Sequence, residues 1–288
     1  MNNSLSRAVI ALSIILLACN PLAKAQDEKQ SEKTDSNSNP AFVIYPDESS
    51  ITYHTVTIHG TPIHYQATAG TITITNLRGD HEPTAQMFYI AYKKLNAPYD
   101  DSTDPTFPDA ATRPITFSFN GGPGSSSVWL HLGTFGPMRV NPIDDFGNPG
   151  PPPYKLVENE YSLLDQSDFV FIDPVTTGFS RAAKDKSEKD FHGVNQDIRS
   201  VAEFIRLYLG KEKRWGSPKY IAGESYGTTR AAGLADELQS THGISLNGVV
   251  LVSAIMNFQT ARFDVGNDLP YPLYLPSFAA TAKFHDAL

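Results

Sequence analysis

The sequence predicts an α/β fold on a mixed, mostly parallel sheet, and three observations carry that expectation. Strand and helix patterns alternate through the middle of the 288-residue chain, short apolar runs there suit strands buried on both faces, and an earlier block of β-branched segments suits antiparallel strands. In chain order, Ile51–His59, Ile63–Ala67, Gly70–Thr75 and Gln86–Lys93 are rich in β-branched and aromatic residues and are separated by Gly, Pro and Asn. Asn96–Pro114 and Pro142–Pro153 read as loops. Ile115–Phe119 and Phe169–Ile172 are the short apolar strands. Phe191, Val194, Ile198, Val201, Ile205 and Tyr208 recur at helical spacing. Tyr220–Ala222 is then a brief strand, Thr228–Leu238 a helix and Gly248–Ile255 a strong strand. Ligands bind such sheets at the carboxyl ends of the strands.

The chain's ends and charge set further bounds. Arg7 followed by the apolar run Ala8–Ala18 has the length of a signal-peptide core rather than of a membrane span. Two processing signals compete: Ala23-Lys24-Ala25 is an A-x-A cleavage site, whereas Leu16-Leu17-Ala18-Cys19 resembles a bacterial lipobox in which Cys19 would be lipidated. Residues 1–25 are therefore expected to direct export to the periplasm or medium, with 1–18 removed instead if Cys19 is the anchor. Residues 26–50 read as a disordered linker. They carry six acids and two bases, half of the net charge of −8. That acidic balance disfavours nucleic acid, and membrane association is expected only through the signal peptide or a lipid on Cys19. Cys19 is the sole cysteine and forms no intramolecular disulfide. The histidines match no metal-ligand spacing, including His54, His59 and His64, which would alternate faces of a strand. No metal or other cofactor is called for.

Two glycine-bearing motifs carry chemistry. Gly223-Glu224-Ser225-Tyr226-Gly227 is a G-x-S-x-G pentapeptide between strand and helix, the arrangement that presents a serine hydroxyl above an α/β-hydrolase sheet. Alone it is a weak signal. Asn120-Gly121-Gly122-Pro123-Gly124-Ser125-Ser126-Ser127, directly after the strand Ile115–Phe119, strengthens it, because this is where such folds place backbone donors to the oxyanion. A phosphate loop is disfavoured: no Lys-Ser or Lys-Thr follows, and Pro123 removes a donor.

Together with Asp168-Phe-Val-Phe-Ile-Asp-Pro-Val-Thr-Thr-Gly-Phe-Ser180, these segments resemble the serine carboxypeptidases (peptidase family S10) of the α/β-hydrolase superfamily, in order and in spacing, from about residue 51 onward. The resemblance implies a bacterial-type member in which Ser225 attacks the scissile carbonyl and the N–H groups of Gly122 and Tyr226 stabilise the oxyanion. It further implies that Asn120, Gly121 and Glu224 bind the α-carboxylate of peptides with a free C-terminus. A glutamate facing a carboxylate helps only when protonated, so activity would favour acidic pH. Thr134 stands where many members carry a second Glu, and Ser125 where eukaryotic members have a Cys. Tyr271–Pro276, continuing to His285, looks like the start of a lid insertion.

The triad order of this fold is Ser, Asp or Glu, then His, the last two after strands beyond the one starting at Gly248. About 33 residues follow Ile255 and hold no further strong strand. His242 reads as a surface residue and His285 as terminal. The expectation is a carboxypeptidase domain over 51–288 that is incomplete on its C-terminal side, with triad Asp and His absent. The alternatives are an esterase or acyltransferase with the same acyl-enzyme chemistry, or a non-catalytic product.

Overall fold

The structure is a computed structural model describing residues 46–75, 82–141 and 151–287. The export signals, Cys19, most of the 26–50 linker and most of the Pro142–Pro153 loop lie outside these described residues.

The sheet opens with an antiparallel meander: β1 (Ser49–Ile58), β2 (Thr61–Thr75) and β3 (Pro83–Lys94). β1 and β2 join through His59-Gly60, both at positive φ (46° and 78°), the backbone of a tight two-residue hairpin. His54, His59 and His64 therefore sit on one strand, a turn and the next strand, which corrects their placement along a single strand. Ordered structure also starts earlier than residue 51. Asp47 Oδ1 accepts from Thr73 N and Oγ1 at 2.8 Å each, and Ser49 and Ser50 already pair with β2. The expected break between Ala67 and Gly70 does not occur. Gly70 stays in β2 because a Cβ there would lie 3.0 Å from the Tyr89 ring opposite, so this glycine makes room for an aromatic side chain rather than ending a strand.

Next come β4 (Ile115–Phe119), a single turn α1 (Val128–Leu130), a π-turn over His131–Phe135, the hairpin of β5 (Met138–Val140) and β6 (Leu156–Glu158), β7 (Asp168–Ile172) and β8 (Arg181–Ala182). The rest is α2 (Val194–Lys211), β9 (Lys219–Glu224), α3 (Tyr226–His242), β10 (Gly248–Val252) and α4 (Pro270–Phe284). The sheet order is β1-β2-β3-β7-β4-β9-β10, with β8 pairing on β3. From β7 to β10 the strands run parallel. β4 and β7 are buried throughout, as their unbroken apolar pattern requires.

One core cluster joins α2 and α3 to the sheet through residues such as Phe117, Phe204, Tyr208 and Leu234. A second, with Tyr65, Tyr92, Leu130 and Phe171, lies against the turn after β4. At the amino ends of β4 and β7, Asp168 is buried between Arg113 (3.1 Å) and Arg214 (2.5 Å), which pins the strand starts. The 271–276 stretch lies within α4, and of that helix only Pro270 is buried.

Candidate active site

Register brings the two glycine motifs together. Phe119, the last residue of β4, pairs with Gly223 of β9, so Asn120, which follows β4, and Glu224, the last residue of β9, emerge side by side. Ser225 is the residue between β9 and α3, at φ 57° and ψ −123°. That is a sparsely populated conformation for a residue with a Cβ, with a strain of roughly 1–3 kcal/mol. Hydrogen bonds hold it there: Ser225 N donates to Val252 O (3.0 Å), while Thr228 N (2.9 Å) and Oγ1 (2.7 Å) donate to Ser225 O. Because the Ser225 N–H is used by the sheet, the free donors beside Oγ are those of the first turn of α3, starting with Tyr226, where the helix dipole adds positive potential.

The turn closes only because its flanks lack side chains. A Cβ on Gly223 would fall 2.1 Å from Gly227 O, and one on Gly227 would fall 3.0 Å from Phe119 O. The glycine loop packs on the same spot. A Cβ on Gly121 would meet Tyr226 N at 2.5 Å and Glu224 O at 2.6 Å, so Gly121 lies directly against the elbow. Gly122, at φ 105°, follows it and is exposed. Asn120 is fully buried; its Nδ2 donates to Glu224 Oε2 at 3.1 Å, and its Oδ1 accepts from Leu130 N at 3.0 Å. The structure thus gathers all six residues expected here: Asn120, Gly121, Gly122, Glu224, Ser225 and Tyr226.

Residues that sequence reasoning overlooked support them from below. Asp173, at the end of β7, accepts from Ser127 N (2.9 Å) and from Phe179 N, clamping the glycine loop to the Asp168–Ser180 segment. Burial pushes its carboxyl above the usual range, against the lowering effect of those two N–H groups. Gly178, at φ 49°, is needed there because a Cβ would collide with Asp173 Oδ2. Arg230, one turn into α3 and wholly buried, donates Nε to Asp197 Oδ2 (2.9 Å) and a terminal N–H to Asn120 O (2.7 Å). Its guanidinium lies 5.3 Å from the ring centres of Phe119 and Tyr226. Burial raises the Asp197 carboxyl, opposed by Arg230 and by a hydrogen bond from the Tyr226 hydroxyl. A signal for this network existed: Arg230 shares the buried stripe of α3 with Gly227, Ala231 and Leu234, and Asp197 interrupts the apolar stripe of α2.

Among the described residues no histidine hydrogen-bonds Ser225. His242 ends α3, about 25 Å along the helix from Ser225 at 1.5 Å per residue. It lines a separate groove of about 440 Å³ with Arg199, Glu203 and Glu237. His285 is exposed beyond α4. His131 Nε2 and the Tyr92 hydroxyl share a hydrogen bond at 2.6 Å, and burial lowers the His131 pKa to about 4, so the imidazole stays neutral. The described residues contain no metal-binding cluster of three or more His, Cys, Asp or Glu, and no helix among them is long and apolar enough to cross a membrane.

A strained serine between a parallel strand and a helix, overlaid by a glycine loop from the neighbouring strand, defines an α/β-hydrolase. Residues 63–266 match the family model described as serine carboxypeptidase (Peptidase_S10), and the chain belongs to that family. It is 31% identical over 146 residues to the pheromone-processing carboxypeptidase KEX1 of Saccharomyces cerevisiae, a match covering 50% of this chain and 18% of that protein. It is 29% identical over 156 residues to the serine carboxypeptidase ctsa-3.2 of Caenorhabditis elegans, covering 52% and 26%. The crystal structure of KEX1(delta)p, a prohormone-processing carboxypeptidase from Saccharomyces cerevisiae, superposes with a TM-score of 0.47 at 22% identity, covering 68% of this chain and 40% of that one. The chain thus matches well under two thirds of the length of these relatives.

Proposed function

We propose that the protein is a serine-type carboxypeptidase that removes C-terminal residues from peptides through an acyl-enzyme on Ser225. The observation that carries this reading is the contact between Asn120 Nδ2 and Glu224 Oε2 beside Ser225: a pair built to receive a free carboxylate, which a plain esterase does not need. Ser225 Oγ attacks the scissile carbonyl, losing its proton to a general base that is not among its hydrogen-bond partners here. The N–H groups of Gly122 and Tyr226 hold the tetrahedral oxyanion, a contribution of about 3 kcal/mol per donor in comparable sites. The C–N bond then breaks as the base returns that proton to the amide nitrogen, the C-terminal residue leaves as its free amine, and water hydrolyses the acyl-enzyme. Asn120, Gly121 and Glu224 hold the substrate's α-carboxylate during attack. Export through the 1–25 signal belongs to the same reading, and the mass of the mature N-terminus separates cleavage after Ala25 from lipidation at Cys19.

In the full-length protein, peptides with free C-termini should be hydrolysed and their C-terminal amides should not. Ser225→Ala should abolish both turnover and labelling by a fluorophosphonate probe, whereas Glu224→Gln should alter pH dependence and narrow the free-acid preference. Equal hydrolysis of free and amidated peptides would sink the carboxypeptidase assignment.

A further inference from the structure

We infer that Arg230 is the positioning residue for carboxylate recognition: by holding the Asn120 carbonyl inward, it turns the Gly121 N–H outward toward the substrate's C-terminus. This rests on the carboxypeptidase reading above and adds to it the reason that the donor points the right way.

Peptide geometry fixes the direction of this donor. The Asn120–Gly121 bond is not among the cis peptides, so its C=O and N–H point in opposite directions within one plane. Arg230 donates to that carbonyl at 2.7 Å from a wholly buried position below the loop. The Gly121 N–H must then face the other way, and among the described residues it donates to no other group. Both side-chain atoms of Asn120 are also engaged, with Leu130 N and Glu224, so the remaining freedom is a flip of this one peptide plane. A flip would strip a second N–H of the guanidinium of its acceptor, when Nη2 already lacks one. Unpaired donors on a buried cation are costly, so the plane stays locked. Polarisation works in the same direction, since a cation on the carbonyl makes the attached N–H a stronger donor to a carboxylate.

Arg230 does not act as a direct anion receptor. Asp197 neutralises it at 2.9 Å, and the rings of Phe119 and Tyr226 flank it. Its influence passes through Asn120 and Gly121, so it should govern the choice between free and amidated C-termini and leave Ser225 intact.

The test compares calorimetric affinities of a short peptide and its C-terminal amide in the full-length protein, in a Ser225→Ala background that prevents turnover. The unmodified protein should prefer the free acid, and Arg230→Met should reduce that preference about tenfold, the worth of one charge-assisted hydrogen bond. Asp197→Asn keeps the Asn120 contact and should keep the preference even though it loses stability. If Arg230→Met does not fold, Arg230→Lys retains the cation without the fork and should lower the preference several-fold, with the circular-dichroism signal unchanged. A clear wild-type preference that both Arg230 variants leave unchanged overturns this inference alone. No wild-type preference overturns the carboxylate-recognition reading, and this inference with it.

Discussion

Ser225 is the residue on which the site turns, and its geometry depends on two neighbours without side chains. The sequence shows why Gly223 and Gly227 should be small; the structure shows what each approaches, Gly227 O in one case and the backbone carbonyls at the end of β4 in the other. Gly223→Ala places a methyl 2.1 Å from Gly227 O, a clash that backbone movement alone can relieve. The expected outcome is a loss of Ser225 labelling by at least tenfold, with stability lowered by about 1–3 kcal/mol, as for other overpacked positions. Labelling at the wild-type rate would show that the elbow tolerates the movement. Glu224 and Asn120 were singled out through the family resemblance, and the structure places them in hydrogen-bond contact. The pairing of Arg230, Asp197 and Asp173 was not legible, because their place on or beside buried stretches marks them as unusual without naming a partner; Ser127 lies 46 residues from Asp173, Asp197 33 from Arg230 and Asn120 110 from Arg230, and only the fold brings them near.

At the level of elements, the parallel strands were the most legible part. Their apolar runs are short and bounded by glycine or proline, and β4 and β7 are buried throughout. The meander was misjudged at Gly70 for a physical reason: a strand glycine signals either a break or a large neighbour, and the neighbour, Tyr89, lies on another strand. The turn after β4 has its own pH dependence. His131 opens the π-turn, is 8% exposed, and has its pKa lowered from 6.5 to about 4 by burial. Between those values the unfolded chain binds the proton and the folded protein does not. This contribution to stability is therefore fully present above about pH 6.5 and is lost as pH falls toward 4, amounting to about 3 kcal/mol in all. Urea unfolding at pH 7 and pH 4.5 should show His131→Gln losing most of that dependence relative to the unmodified protein, since Gln can hydrogen-bond Tyr92 but does not titrate. An unchanged difference between the two pH values would mean that His131 is not the responsible group.

For the whole molecule the governing feature is the contrast between the two ends of the parallel strand set. β4 and β7 are sealed, whereas β10, on the sheet edge, leaves Val249, Val250 and Leu251 at 41%, 43% and 37% exposure. A parallel strand of this composition normally sits buried on both faces. α4 adds exposed Tyr271, Leu273, Leu275 and Phe278. Apolar side chains on an unpaired strand edge form a template for pairing with another chain, and backbone donors and acceptors along β10 strengthen it. The 288-residue polypeptide expressed by itself should consequently bind an apolar dye such as ANS and associate as its concentration rises. Val250→Lys places a charge at the centre of that edge and should weaken association by tenfold or more, with the sheet's circular-dichroism signal unchanged. Sedimentation velocity across a hundredfold concentration range reads the effect directly. A dye-silent monomer throughout that range would mean that β10 and α4 are covered in solution by contacts other than those described.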